Sequence, residues 1–425
     1  VKIVLIGAGS YVFAPTVLQD AIVKHRSSGE LALVDLNLQA AEAMAGVGRR
    51  MAQDLGVACT VCATADRREV LPDADCVILS AAPEGRRRWQ MDRDILVRAG
   101  MPDQVRECGG LGGLSYALRT ISLALDICED MAGLCPRARL LDVTNPMPRV
   151  VTAVHRFTDV ECYGFCNASQ EGAQGYEWLA GLVGRRTNEI DVVTAGLNHF
   201  AWLVSIRDRS TGEDLYPDVK RAIRTAEGHG SEYRRRWMNE FGAISAPGPG
   251  HTLEYLPPEP EARYRTRPPF HGNAQERQER MQVLSAIAAG DLDWRTSLAG
   301  GSWEHPVDVA VALDRGTELH VPMLNLPNRG YLADLPDGRI VEVPVIVEGG
   351  GVQGAEIGLL PGVVGELCKR VSDVHEWVAR GAATGDRRAL EQAITLDPAV
   401  SDKRAVLDVL EEMLQAHQDI LPRFR

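Results

Sequence analysis

The sequence lacks any apolar run approaching the roughly 20 residues needed to span a bilayer, so no membrane partner is expected. It also lacks a basic surplus: 46 Lys and Arg stand against 58 Asp and Glu, a net charge of -12. No Lys/Arg run carries interleaved aromatics either, and nucleic acid is excluded as an expected partner. There is no disulfide framework. Nine cysteines, an odd number scattered over 425 residues, read as reduced thiols and point to the cytoplasm. Cys59 and Cys62 form a C-x-x-C, but no second pair completes a zinc site and the surrounding residues read as a strand. The opening residues read as a strand and not as a basic-then-apolar leader. Internal repeats and low-complexity linkers are absent too. At this length one ordinary core does not suffice, so two lobes are expected.

What is present begins at once. The β-branched run Lys2-Ile3-Val4-Leu5-Ile6 leads into Gly7-Ala8-Gly9-Ser10, and a second apolar run, Leu31 to Val34, ends in Asp35. In a strand–turn–helix unit the first glycine makes the tight turn and the second lets backbone approach a pyrophosphate. The acid after the next strand then bonds a ribose hydroxyl. The usual third glycine is missing, since Ser10, Tyr11 and Val12 follow Gly9. The spacing to Asp35 still predicts a dinucleotide site on Gly7, Gly9, Ser10 and Asp35.

Helical spacing at Ala14 to His25, Leu38 to Leu55 and Leu114 to Ala132 alternates with strand-like runs. Those runs are Ala58 to Ala63, Cys76 to Ser80, Ala138 to Val143 and Glu161 to Phe165. The alternation predicts an α/β fold: a Rossmann-type, doubly wound parallel sheet over residues 1–168. Ligands collect beyond the carboxyl ends of such strands. Five places should therefore face one crevice: Gly7-Ser10, Asp35, Ser80-Arg88, Thr144-Pro148 and Cys166-Ser169. The charged segment from Pro83 ends in Gly109-Gly110-Leu111-Gly112-Gly113. It reads either as a solvated helix with a flexible loop or as backbone that must come close to a ligand.

Residues 169–425 are expected to form a mixed α+β domain carrying substrate, metal and subunit contacts. A strand over Ile190 to Ala195 leads into Gly196-Leu197-Asn198-His199. The polar stretch from Ser210 to Pro269, with Gly248-Pro249-Gly250-His251-Thr252-Leu253-Glu254-Tyr255, suggests a loop folding over a site. From Val307 the chain reads as a twisted sheet with a turn at Leu335-Arg339, and from Leu360 as helix. Val406, Leu407, Leu410, Met413 and Leu414 share one face of the last helix, as a core or subunit-contact stripe does.

Cys166 and His199 each follow an apolar strand. A thiolate and an imidazole suit a borderline divalent metal and leave positions open for substrate oxygens. Cys166 also reads as a buried inert thiol, His199 as a packed histidine, and the two together as a nucleophile pair. Asn145 could hold a substrate hydroxyl or cap the turn after it. His251, Glu254 and Tyr255 are protic groups able to serve as acid, base or ligand.

Taken in order, these segments resemble the NAD- and metal-dependent family 4 of the glycoside hydrolases, within the lactate/malate dehydrogenase-like superfamily. The match includes the Gly7-Ser10 turn, Arg88 with Asp92, the Gly109-Gly113 run with Arg119, and Thr144-Asn145-Pro146. It continues through Cys166, His199, Asn325-Leu326-Pro327-Asn328-Arg329-Gly330 and Val341-Glu342-Val343-Pro344. The resemblance implies NAD on Gly7, Gly9, Ser10, Asp35, Ser80 and Asn145, with manganese or another divalent metal on Cys166 and His199. It implies a substrate held by Arg88, Asn145, Asn167 and Glu254, and catalysis by Tyr255, His251 and Asn145. The implied reaction is glycoside hydrolysis by transient oxidation at C3, metal-assisted loss of the C2 proton, elimination at C1, water addition and re-reduction. A homodimer or homotetramer is expected.

Two departures bear on substrate. Asn167 stands where some branches carry an acid, and Pro249 stands where others carry an aspartate. The lid motif leans to an unphosphorylated α-glycoside or uronide, and Cys166-Asn167 leans to a 6-phosphoglycoside. A dehydrogenase of the lactate/malate type and a non-catalytic NAD sensor are the competing functions.

Overall fold

The computed structural model describes residues 1–170, 175–258, 274–298, 300–301 and 304–424. Six parallel strands open the chain: β1 (Lys2–Ile6), β2 (Gly29–Val34), β3 (Cys59–Thr64), β4 (Cys76–Leu79), β5 (Arg139–Asp142) and β6 (Cys162–Gly164). Their order in the sheet is β3-β2-β1-β4-β5-β6, so the sense in which successive strands are added reverses between β1 and β4. That reversal is where a doubly wound sheet leaves its ligand crevice. Ile3, Val4, Leu5 and Ile6 are all buried, as expected of a central parallel strand covered on both faces.

The covering helices are α1 (Ala14–Leu18), α2 (Leu38–Leu55), α3 (Gly85–Arg98), α4 (Gly110–Leu134) and α5 (Met147–Phe157). α1 passes into a π-helical segment, Gln19–Lys24, where a uniform helix was expected. α2 has the predicted bounds. Asn37 caps its first turn by accepting from the Ala40 N–H, and Gly56 closes it with φ +61°. α4 is long and apolar enough to cross a bilayer by length and composition. However, 89% of its apolar window is buried inside the fold, which makes it a core helix.

The glycine run does not form a loop. α4 starts at Gly110, and its glycines meet other backbone of the chain itself. A Cβ at Gly112 would stand 2.7 Å from the Gln104 carbonyl oxygen, and one at Gly109 would overlap the Glu254 carbonyl. The close approach these glycines permit is therefore to residues 104–108 and 254.

The second half adds α6 (Glu177–Leu182), the hairpin β7 (Ile190–Leu197) and β8 (Phe200–Asp208), α7 (Tyr216–Ile223), α8 (Ser231–Phe241) and α9 (Pro249–Thr252). α10 (Ala274–Ala289), α11 (Trp294–Ser297) and α12 (Pro306–Arg315) precede β9 (Leu319–Pro327), β10 (Ile340–Glu348) and β11 (Gly351–Gly354). α13 (Val364–Thr384), α14 (Arg387–Leu396) and α15 (Lys403–Ala416) complete the chain. The expected loop after Ser210 is thus largely helical where it is described, and its residues 259–269 lie outside the described residues. Val307 likewise opens a helix, and the sheet resumes only at Leu319. β9 joins β6 antiparallel at Asn325 and Gly164, and β10, β7 and β8 follow. One sheet therefore runs across residue 168. On α15, Val406, Leu410, Met413 and Leu414 are buried within the fold, against the α3–α4 side.

Candidate active site

The six residues expected at the nucleotide, Gly7, Gly9, Ser10, Asp35, Ser80 and Asn145, all line one cleft of ≈ 1690 Å³. Gly7 has φ +94°, and a Cβ there would overlap the Ser80 carbonyl. The Gly9 N–H donates to Asp35 Oδ2 at 2.8 Å, and Asp35 Oδ1 accepts from the Asn37 N–H at 2.8 Å. A Cβ at Gly9 would lie 2.7 Å from Asp35 Oδ2. Both glycines thus pack where a side chain would clash, Gly7 on the Ser80 carbonyl and Gly9 on the Asp35 carboxylate, and both line the cleft. This geometry fits a dinucleotide.

Deeper in the cleft, the Asn145 amide donates to Glu107 Oε1 at 2.9 Å, and Asn145 Oδ1 accepts from the Met147 N–H at 3.4 Å. The side chain is oriented from both ends. Glu107 and Tyr116 line the same space, although no sequence pattern had marked them. Burial, then the Glu107 charge, pushes the Tyr116 phenol far above its usual range.

Cys166–Ser169 do not line this cleft. Cys166 follows β6, and His199 sits in the two-residue turn between β7 and β8. The two meet, with Cys166 Sγ 3.5 Å from His199 Nε2. Zinc-type bond lengths and a tetrahedral angle put a thiolate sulfur and an imidazole nitrogen on one ion about 3.6 Å apart, so the pair fits a shared cation. His199 holds φ +62°, a conformation that costs a non-glycine residue about 1 kcal/mol or more. Burial, then the nearby Glu342 charge, pushes the Cys166 thiol up to about 12; a coordinated cation reverses such a shift.

Glu342 organises the ground behind the pair. Its carboxylate accepts from Ser169 Oγ at 2.5 Å and from the amides of Asn198 and Asn325 at 3.0 Å each. Burial raises its pKa against those three donors. One carboxylate on β10 thereby fixes the residue before His199 and the turn after Cys166.

Residues 2–177 match the family 4 glycosyl hydrolase profile, and residues 194–400 match the family 4 glycosyl hydrolase C-terminal domain. The chain belongs to glycosyl hydrolase family 4. It is 27% identical to an α-glucosidase of Erwinia rhapontici, with 98% of each chain covered. It superposes on lplD of Bacillus subtilis with a TM-score of 0.83 at 26% identity, covering 97% of this chain and 99% of that one. A 6-phospho-α-glucosidase from gut microorganisms, solved with NAD and Mn2+, shares the fold. Its TM-score is 0.78 at 20% identity, covering 100% of this chain and 99% of that one.

In this family 4 glycosidase the segment after Pro249 is tied down. Arg106 Nη1 donates to the carbonyls of Leu253, Glu254 and Leu256 at 2.8–3.0 Å, and Glu254 Oε2 accepts from the Cys108 N–H at 2.5 Å. Glu254 is buried, with its carboxylate turned to the Cys108 backbone. His251 Nδ1 lies 3.3 Å from His199 Nδ1.

Two of the expected site residues are packed inside the fold. Tyr255 is 2% exposed and packs edge-on against Phe200 and His375, and its hydroxyl meets no partner among the described residues. Burial pushes that phenol well above its usual range, as suits a hydroxyl packed in the core. Arg88 is 2% exposed and spends its guanidinium on Asp419, at 2.7 and 2.5 Å, and on Glu84 at 2.7 Å. It is a strut between α3 and the chain's end, and Arg86 is the arginine of that helix that lines the cleft. Asn167 is half-buried beside Cys166, with no partner for its amide nitrogen among the described residues.

Proposed function

We propose that this family 4 enzyme hydrolyses a glycoside with NAD in the Gly7–Asp35 cleft and a divalent cation, manganese by class, on Cys166 and His199. The 3.5 Å approach of Cys166 Sγ and His199 Nε2, beside a cleft built for a dinucleotide, carries this reading. When bound, NAD supplies reversible oxidation at C3 of the sugar and the cation supplies Lewis acidity at its C2 and C3 oxygens, so that C2–H becomes acidic and the C1 substituent can leave. Gly7 and Gly9 admit the pyrophosphate, and Asp35 holds a ribose hydroxyl. Asn145, oriented by Glu107, presents its amide to the sugar where β5 ends. His251 is assigned ahead of Tyr255 as the group receiving the C2 proton, since it adjoins His199 while the Tyr255 phenol is buried among Phe200 and His375.

The proposed substrate is an unphosphorylated α-glycoside or a uronide, and a 6-phosphoglycoside is the alternative. Engagement of Arg88 by Asp419 withholds that guanidinium from a 6-phosphate and a uronate carboxylate alike, which favours a neutral α-glycoside. The reduced thiols fit a cytoplasmic enzyme, and a homodimer or homotetramer belongs to the same reading. A panel of nitrophenyl glycosides with and without a 6-phosphate, assayed with NAD, manganese and reductant, tests it. Turnover of the plain sugars is expected. Turnover confined to the phosphorylated ones contradicts the substrate assignment.

A further inference from the structure

His199 is approached by a second thiol. Cys108 lies at the end of the segment that leads into α4 and is fully buried. Its Sγ, a ring nitrogen of His199 and a carboxylate oxygen of Glu254 all lie within 4.8 Å of one another, and all three residues are buried. Each comes from a different part of the chain: the residues before α4, the β7–β8 turn, and the turn after α9.

Their convergence is enforced by backbone. The N–H of Cys108 donates to Glu254 Oε2 at 2.5 Å, so the residue that offers the thiol also orients the carboxylate. Gly109, the next residue, lies against the Glu254 carbonyl with no room for a Cβ. Arg106 clamps the carbonyls of Leu253, Glu254 and Leu256 from the other side. His199 is held at φ +62° between these elements. Its Nε2 faces Cys166 at 3.5 Å and its Nδ1 faces His251 at 3.3 Å.

We propose that Cys108, His199 and Glu254 form a second cation-binding set, sharing His199 with Cys166, that takes a borderline or soft divalent ion such as zinc in preference to manganese. One sulfur, one nitrogen and one oxygen donor make a set that zinc accepts at four-coordination. Manganese stands lowest in the affinity order of first-row ions and prefers carboxylate and water. A zinc ion held on this set draws on the imidazole that the Cys166 pair needs. The consequence is competition: zinc displaces manganese from the centre. That consequence rests on the functional reading given above for Cys166 and His199, whereas zinc binding at Cys108 does not.

The test is optical and uses the whole protein, reduced, with cobalt(II) as the probe and zinc as the competitor. A thiolate-to-cobalt charge-transfer band is expected in the wild type. Because the two sets compete for His199, Cys108→Ser should remove the Cys108 component of the band, leave the Cys166 component, and bind zinc about tenfold or more weakly, while manganese affinity by electron paramagnetic resonance stays within about twofold. Glu254→Gln, which keeps an acceptor for the Cys108 N–H, should weaken zinc in the same direction and guards against a Cys108 variant that folds poorly. Wild-type band intensity and zinc affinity in both variants would overturn the proposal. A band lost in Cys166→Ser but unchanged in Cys108→Ser would also overturn it, while leaving the Cys166–His199 reading intact. The reverse pattern would uphold the Cys108 set and remove the Cys166 reading. No thiolate band in the wild type would overturn both.

Discussion

Cys166 and His199, 33 residues apart in the chain, bring sulfur and Nε2 to 3.5 Å, and the sheet prepares this by setting Gly164, Asn325, Glu342 and Gly196 in one row across β6, β9, β10 and β7. Replacing Cys166 by Ser should abolish metal-dependent turnover while NAD affinity, read by fluorescence titration, changes by no more than about twofold. His199→Asn should remove metal binding at a stability cost within about 1 kcal/mol, because asparagine tolerates the positive φ that histidine holds here. A His199→Asn protein that binds manganese as the wild type does would contradict the assignment.

The two cleft glycines should fail differently. Gly7→Ala places a Cβ on the Ser80 carbonyl at φ +94°, so a stability loss of about 2 kcal/mol or more is expected in urea unfolding. Gly9→Ala meets only the Asp35 carboxylate, which can move. It should leave stability nearly intact and weaken NAD by about tenfold. Equal effects of both substitutions on both measurements would contradict the packing described for these two glycines.

Tyr255 and His251 offer a direct comparison. Tyr255→Phe removes a buried hydroxyl with no partner among the described residues, so turnover should stay near wild type and stability should hold or rise by about 1 kcal/mol. His251→Ala should lower turnover by about 100-fold or more if it receives the C2 proton. Full activity in His251→Ala together with loss in Tyr255→Phe would reverse the two roles.

Acid stability should depend on Asp92. Burial works to raise its pKa, but Arg119 at 2.8 Å and His417 at 2.7 Å outweigh it and hold the carboxyl below its ordinary value. With the folded-state pKa below the unfolded one, the stabilisation is full above about pH 4 and fades as pH falls through the folded value. Asp92→Asn should therefore cost about 3 kcal/mol or more at neutral pH and flatten the loss of stability below about pH 4. Urea unfolding between pH 7 and pH 3 reads both effects, and parallel acid limbs would contradict the assignment.

Local pattern carried the first lobe: a β-branched run into Gly7-x-Gly9, and an acid one residue past the next strand, need only neighbours to be read. Cys166 and His199 were legible as strand-end residues, and the sheet then brought them together. Tyr255 was not legible. Its place depends on Phe200 and His375, so a protic residue in a Pro/Gly-rich stretch read equally as acid, base or ligand although it packs in the core. Arg88 was expected to hold substrate because Asp419, 331 positions away, is invisible to any local window. Glu342 meets Asn198 across 144 positions, and only the β9–β10–β7 pairing makes it the anchor of the metal turn.

The central claim is that the glycosidic bond breaks after loss of the C2 proton and not by direct displacement at C1. Hydrolysis of an accepted glycoside in deuterium oxide, with NAD and manganese, followed by proton NMR of the released sugar, tests it most directly. Deuterium at C2, with no net accumulation of NADH, is the predicted result. Complete hydrolysis that retains protium at C2 would contradict the account.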